Sequence, residues 1–430
     1  MIARSHKSTL SGHARAPGSK SHTIRAVLMA TMSEGTSYIR NPLTSRDAKS
    51  SLDAARAFGA KVTVEDGVWI IEGRGKNLQV PENYVECGNS GTVSAFSSLM
   101  AGLVDGYTFI TGDEQIRRRP IYPSVEAINA LGGHAVFTRP GSKACPIVVK
   151  GPIKGGKVHF TGLLSQMISG TLMVAPLLPE DTEITVDNPL ETPYLQMTLD
   201  WIKHHGVEIE NPQNFKYFKI KGGQSYRAQD TVIPSDWSGV AFPLVAAVVT
   251  QSNVIIDGVD FHDSQGDKAV VDLLISMGAD IEKDVEGGRL IIKGGKPLQS
   301  GFTFDLQNIP DSLPAMSVAA AYAQGDTKFV GLDAVRLKET DRVAVMQSEL
   351  GKMGASIEVG ADYMIVHGGK PLKGAEVESY DDHRIAMAMT IAGFFAEGET
   401  VVKDAECVAV TFPNFFEVMK NIGADVATEE

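Results

Sequence analysis

A short phrase recurs six times in this chain of 430 residues: a helical run ends, a glycine follows, and an apolar residue comes soon after. It stands at Gly59-Ala60-Lys61-Val62, Gly132-Gly133-His134-Ala135 and Gly206-Val207-Glu208-Ile209. It returns at Gly278-Ala279-Asp280-Ile281, Gly354-Ala355-Ser356-Ile357 and Gly423-Ala424-Asp425-Val426. Successive first glycines are 69 to 76 residues apart. A glycine at positive φ is a common helix stop, so each copy predicts a helix, a stop and then strand. The stretch Asp341–Met353 shows the pattern, with Val343, Val345, Met346, Leu350 and Met353 at helical spacing. Strands are expected over Ser356–Val359 and Tyr363–His367, turning near Gly360. A unit of this size exceeds the roughly 20–50 residues of a solenoid repeat. Three units packing their helices on a shared core would make one body, and six would make two.

The low-variety polar phrases precede apolar runs. Pro17-Gly18-Ser19-Lys20-Ser21-His22-Thr23-Ile24-Arg25 leads into a helix expected over Ala26–Met32, and Cys87-Gly88-Asn89-Ser90-Gly91-Thr92 into Val93–Ala101. Arg117-Arg118-Arg119-Pro120 leads into Tyr122–Leu131, and Ser165-Gln166 into Met167–Ala175. Ser235-Asp236-Trp237-Ser238, Ile309-Pro310-Asp311, Lys338-Glu339-Thr340-Asp341-Arg342 and Asp381-Asp382-His383-Arg384 do the same before Val240, Leu313, Val343 and Ile385. Helix starts carry unpaired N–H groups and partial positive charge, which suits phosphate and carboxylate ligands. Lys20, Arg25, Arg119, Lys338, Arg342 and Arg384 put six cations there, in a chain whose net charge is −12. Lys338 and Arg342, four apart, are expected on one helix face, as are Ser21 and Arg25.

That acidic balance argues against nucleic acid and anionic membranes as partners. With 43% hydrophobic and 21% charged residues the chain is an ordinary globular one. Cys87, Cys145 and Cys407 form neither a disulfide framework nor a CxxC pair, so a reducing, cytoplasmic setting is expected. The first residues lack the apolar run of a secretory leader, and Val240–Val249 is too short to span a bilayer. The phrase around Gly18-Ser19-Lys20-Ser21 misses P-loop spacing, and no HExxH or other clear ligand spacing occurs. No metal and no cofactor are expected. His204-His205 reads as helix surface.

The ordered set PGSKS with Arg25, GNSGT, RRRPI, SQ with APLLPEDT, IPD, RLKETDR, DDHR and TFPNFF, from about Ala16 to Phe416, resembles the 5-enolpyruvylshikimate-3-phosphate (EPSP) synthases. The sister UDP-N-acetylglucosamine enolpyruvyl transferases fit less well. They typically have Lys-Asn at Lys20-Ser21 and a cysteine in the loop that is Gly112–Ile116 here. The resemblance implies an α+β fold: a two-domain inside-out α/β barrel, each domain three βαβαββ-like units around buried helices. It implies lobes of residues 1–18 plus 232–430 and 19–231, joined by a double-crossing hinge that closes on ligands. It implies a monomer of the shikimate pathway, leading to chorismate and aromatic amino acids. Its substrates would be phosphoenolpyruvate (PEP) and a shikimate-type cyclic alcohol.

The implied reaction moves the carboxyvinyl group of PEP to the 5-hydroxyl of shikimate 3-phosphate through a tetrahedral adduct, releasing phosphate. By resemblance Asp311 is the base for the hydroxyl, Glu339 exchanges the proton at the PEP methylene, and Lys20 contacts both substrates. PEP contacts carried over are Lys20, Asn89, Gly91, Thr92, Arg119, Gln166, Arg342 and Arg384. Acceptor contacts are Lys20, Ser21, Arg25, Ser165, Gln166, Tyr194, Asp311 and Lys338, with Arg25 on the acceptor carboxylate. Read blandly, Asp311 is a helix cap and Glu339 an ion-pair partner of Arg342 or Lys338. Four positions depart from the family: Leu164 and Glu191 stand where serines cradle the 3-phosphate, Ala95 where arginine is frequent, and Val410 where lysine is frequent. Two alternatives therefore stay open: transfer to a related cyclic alcohol lacking the 3-phosphate, and a non-catalytic PEP- or anion-binding protein.

Overall fold

The computed structural model describes residues 1–162, 164–211 and 214–430. The chain divides into two compact units, one formed by Met1–Pro17 with Pro234–Glu430 and one by the continuous segment Gly18–Ile233. The resemblance implies divisions at residues 18 and 232.

Among the described residues the α-helices are α1 (Lys20–Thr31), α2 (Arg46–Ala57), α3 (Gly91–Ala101), α4 (Tyr122–Ala130), α5 (Ser165–Val174) and α6 (Thr192–His204) in the continuous unit. The other unit holds α7 (Trp237–Val249), α8 (Ala269–Ser276), α9 (Leu313–Tyr322), α10 (Arg342–Lys352), α11 (His383–Gly393) and α12 (Phe415–Asn421). They alternate between two environments. The odd-numbered helices are buried almost all round: every residue of α7 and α11, and all but the first two of α1 and α3. The even-numbered helices bury one face and offer charged residues on the other, as α2 and α10 do. In one unit α1, α3 and α5 are the inner helices; in the other, α7, α9 and α11 pack on one another.

The inner helices start earlier than the apolar runs suggest. Helix α1 begins at Lys20 rather than Ala26, α3 at Gly91, α5 at Ser165, α7 at Trp237 and α11 at His383. The polar phrases are thus first helical turns, not lead-ins. Ser19, Ser90 and Asp382 cap them, accepting from the backbone N–H of His22, Val93 and Arg384. One pairing expected from spacing changes. Lys338 follows a 3-10 turn (Val335–Leu337) and lies outside α10, so it shares no helix face with Arg342.

Each outer helix ends on one of the six repeated glycines, and all six have φ between +89° and +100°. At every stop the glycine N–H bonds the carbonyl three residues back. The next N–H reaches the carbonyl five back, as in Gly59 to Arg56 with Ala60 to Ala55, and Gly354 to Gly351 with Ala355 to Leu350. This is the double bond pattern of a Schellman stop.

The strands repeat as faithfully. One sheet runs in the order 85–86, 107–111, 147–150, 134–137, with its first pair parallel and the other two antiparallel. The sheet of 303–305, 325–330, 363–368 and 356–359 has the same order and directions. The strand after each glycine stop is the outermost. In the copy after Gly206 it shrinks to the bridge Glu210↔Lys219. Two strands are exchanged at the crossings. Ser11–Arg15, which leads to α1, pairs with Asn253–Asp257 after α7, and Asp230–Val232, which leads to α7, pairs with Thr36–Arg40 after α1. Ile2–Ser5 lies between Thr400–Lys403 and Val426–Glu429. Each unit has its own apolar core, one built on Ile24 to Ile233 and the other on Ala3 to Ala16 and Trp237 to Val426.

Candidate active site

In the continuous unit, Lys20 is the first residue of α1 and its Nζ lies 3.4 Å from Asp47 Oδ2. Arg25, one turn further in, is only 2% exposed. Its Nε donates to Thr198 Oγ1 (2.9 Å), Nη1 to the Ser21 carbonyl (3.1 Å) and Nη2 to the Tyr194 carbonyl (3.2 Å). Its guanidinium also sits 5.2 Å from the Phe96 ring centre. Burial lowers the Arg25 pKa to about 10, against the opposing fields of Tyr194 and Glu191. Ser21, Arg25 and Tyr194 are thus brought together.

The start of α3 gathers a second group. Asn89 Nδ2 donates to Asp113 Oδ2 at 2.7 Å, and Arg119 Nη1 donates to the Asn89 carbonyl at 3.4 Å. A Cβ placed on Gly91 would lie 2.8 Å from Arg119 Nη2 and 3.1 Å from its Cζ. Glycine there lets the guanidinium lie across the helix tip. Thr92 is the next residue of α3.

Glu191 is fully buried at φ 52°, just before α6. Its Oε2 accepts from Ser165 Oγ (2.7 Å) and the Ser165 N–H (3.3 Å) at the start of α5. The carboxylate that departs from the family pattern is therefore paired, and it holds the Ser165 hydroxyl named as an acceptor contact. Gln166 follows, its Oε1 buried and without a hydrogen-bond partner among the described residues. Leu164 precedes α5 and gives no side-chain cap.

The other unit carries a network centred on Arg342, whose side chain is fully buried. Nη1 donates to Asp311 Oδ1 (2.8 Å), Nη2 to Glu339 Oε2 (2.7 Å), and Nε to Asp382 Oδ2 (2.8 Å). Arg384 Nη2 reaches Asp311 Oδ2 at 3.1 Å, and Lys338 Nζ stands 4.0 Å from Asp311 Oδ1. Asp382 also accepts from Thr340 Oγ1 and from the Arg384 backbone N–H. Burial alone would raise the Asp311 carboxyl, but Arg384, Lys338 and Arg342 outweigh it and hold it well below the ordinary carboxylate range. Asp311, Lys338, Glu339, Arg342 and Arg384 are thus one cluster, assembled from the starts of α9, α10 and α11. Asp311 caps no helix, whereas Glu339 does make the ion pair of its bland reading.

Two groups were missed from sequence. Asp267 accepts from Ser238 Oγ at 2.9 Å, and burial pushes its carboxyl up to about 6, with Asp311 adding to the rise and Arg384 opposing it. Asp382, given no role of its own in the polar phrase before Ile385, is completely buried on Arg342. His205 corrects the surface reading: it is 1% exposed, packed against Trp201 and Tyr226, with neither ring nitrogen partnered among the described residues. Burial first, and then His204, lower its pKa to about 3, so it serves as a neutral core ring.

Anion-suited helix starts and buried carboxylates lie here on a fold of six like units in two bodies, the fold of solved enolpyruvyl transferases. The solved structure of the enolpyruvyl transferase NikO from Streptomyces tendae shares that fold, with a TM-score of 0.80 at 18% identity over 99% of this chain and 98% of that one. The family model for EPSP synthase (3-phosphoshikimate 1-carboxyvinyltransferase) matches residues 5–419, and the chain belongs to that family. A 3-phosphoshikimate 1-carboxyvinyltransferase of Acetivibrio thermocellus is 45% identical over 430 residues, covering 100% of both chains. One from Methanocaldococcus jannaschii is 39% identical over 422 residues, 97% of each. The EPSP synthase structure from Acinetobacter baumannii superposes with a TM-score of 0.84 at 27% identity over 100% of both chains. No helix among the described residues is long and apolar enough to cross a membrane.

Proposed function

We propose that this protein transfers the carboxyvinyl group of PEP to the 5-hydroxyl of shikimate 3-phosphate and releases phosphate, as a monomer in the cytoplasm. Family membership over nearly the whole chain supports the reaction. The observation that carries the chemistry is Arg342, which holds both carboxylates of the proposed acid–base pair, Asp311 and Glu339, within 2.8 Å.

The steps assign a task to each group. Asp311 takes the proton of the 5-hydroxyl as its oxygen adds to C2 of PEP. Glu339 gives a proton to C3, making the methyl of a tetrahedral adduct. Glu339 then recovers a proton from that methyl as the C2–O bond to phosphate breaks and the double bond returns. Arg342 and Arg384 supply positive charge for the carboxylate and phosphate of PEP, and Lys20 and Arg119 are the further cations that the resemblance assigns to PEP. Asn89, Gly91, Thr92 and Gln166 complete the proposed PEP contacts. Ser21, Arg25, Ser165, Tyr194 and Lys338 serve the acceptor. Arg25 is proposed for the acceptor carboxylate, and its guanidinium also fixes the Ser21 and Tyr194 backbone.

Glu191 keeps its charge but is held by the Ser165 hydroxyl and N–H, and family membership over nearly the whole chain favours the phosphorylated acceptor. The retained acid–base pair speaks against mere binding. A phosphate-release assay with PEP and a panel of shikimate 3-phosphate, shikimate and unphosphorylated relatives tests the reading. Release with shikimate 3-phosphate alone is expected; release only with unphosphorylated rings would overturn it.

A further inference from the structure

The two arginines on Asp311 are held very differently. Arg342 is fixed from three sides, by Asp311, Glu339 and Asp382. The Arg384 side chain is 3% exposed, and it bonds Asp311 through Nη2. Its Nε and Nη1 are buried with no hydrogen-bond partner among the described residues. A buried donor without a partner is costly, and a buried guanidinium so poorly satisfied is set to exchange partners when an anion arrives.

We propose that Arg384 is a substrate-operated latch on the base: PEP draws its guanidinium away, and Asp311 Oδ2 becomes free to accept the hydroxyl proton. Oδ1 stays on Arg342, which keeps the carboxylate oriented. Before PEP arrives, both Asp311 oxygens lie in charge-assisted bonds, and a carboxylate so held is a feeble proton acceptor. The charged groups around Asp311 favour the same outcome. Arg342, Lys338 and Glu339 face it from the α10 side and Arg384 from the start of α11, with Asp267 acting on it from the 3-10 turn before α8, while Asp382 acts on Arg342 and Asp236 acts on Arg384 and Asp267. With Arg384 turned to PEP, the carboxylates of this group and the anion itself raise the affinity of Asp311 for a proton. The base would then switch on only when the enol ester to be attacked is in place.

The inference rests on the functional reading above but can fail separately from it. Protein labelled with 13C at aspartate carboxyls would be titrated with and without saturating PEP. The Asp311 signal is identified by its loss in D311N or, should that variant not fold, D311E. The expected result is a midpoint that rises by about one pH unit or more with PEP. In R384Q it should already be raised without PEP and should change little on its addition. A parent midpoint that stays or falls while PEP shifts the melting temperature overturns the latch and leaves the reaction standing. PEP that neither binds nor yields phosphate with any acceptor removes both. R384Q with a midpoint equal to the parent's would show that Arg384 only supports the fold.

Discussion

Gly91 shows how one missing atom sets a binding site. Its Cβ would meet the Arg119 guanidinium at 2.8 Å, and a flexible side chain yields before backbone does. Gly91→Ala is therefore expected to fold normally, displace Arg119 and raise the PEP KM by roughly tenfold, equivalent to ~1.4 kcal/mol. It should also weaken inhibition by the PEP mimic glyphosate; steady-state kinetics with both constants unchanged would refute the placement. At Glu191, Gln keeps the shape and the bond to Ser165 but removes the charge. Glu191→Gln should lower the KM for shikimate 3-phosphate by roughly threefold or more, through relief of like-charge repulsion, and leave that for PEP alone. An unchanged acceptor KM would mean that the phosphate never nears this carboxylate. Asp267 gives a pH prediction. Its folded pKa, about 6, lies above the ordinary aspartate value. The folded state then holds its proton more tightly than the unfolded one, and the contribution to stability declines as pH rises from about 4 through 6. Asp267→Asn lacks that decline, so its urea midpoint should gain on the parent's between pH 4 and pH 7. A variant midpoint that falls behind the parent's over that range would reverse the sign. None of this network was legible from neighbouring residues: Asp311 is 31 positions from Arg342 and 73 from Arg384. Only the likeness of separate short phrases to a known family brought them together.

At the scale of elements, the glycine stops were readable because they obey a local rule. Only a residue comfortable at positive φ suits the site, whatever packs around it. Gly354 has open space where a Cβ would go, so Gly354→Ala isolates the conformational cost. It should destabilise by about 1 kcal/mol, read as a lower denaturation midpoint at constant slope. A neutral result would mean that the stop is not strained by a side chain. Helix starts were misjudged for the opposite reason. Helices α1, α7 and α11 are covered on every side and show no apolar stripe, so periodicity cannot mark where they begin. Their polar first turns look like linker, although Ser19, Ser90 and Asp382 in capping positions carry the missing signal. His205 deceived in the same way, since a polar ring at the end of an outer helix gives no hint that Trp201 and Tyr226 enclose it.

At the scale of the whole molecule, the segment Gly18–Ile233 is continuous and has a core of its own, from Ile24 to Ile233. Produced alone, it should unfold in urea in one cooperative transition and keep near-ultraviolet circular dichroism. A gradual, non-cooperative loss would show that it depends on the rest of the chain. The six-unit plan was visible in sequence because it is written in glycines; the exchange of strands at the crossings was not, since nothing local records which sheet a short strand joins. Ile2–Ser5 shares that fate, pairing with Thr400–Lys403 and Val426–Glu429. During synthesis at roughly 5–20 residues per second, this segment leaves the ribosome roughly 20–80 seconds before either neighbour exists. The nascent protein must carry an unmatched strand through most of its own translation, while the stretch between the crossings can settle first. A chaperone that shields this early stretch would therefore act on timing, leaving final stability untouched.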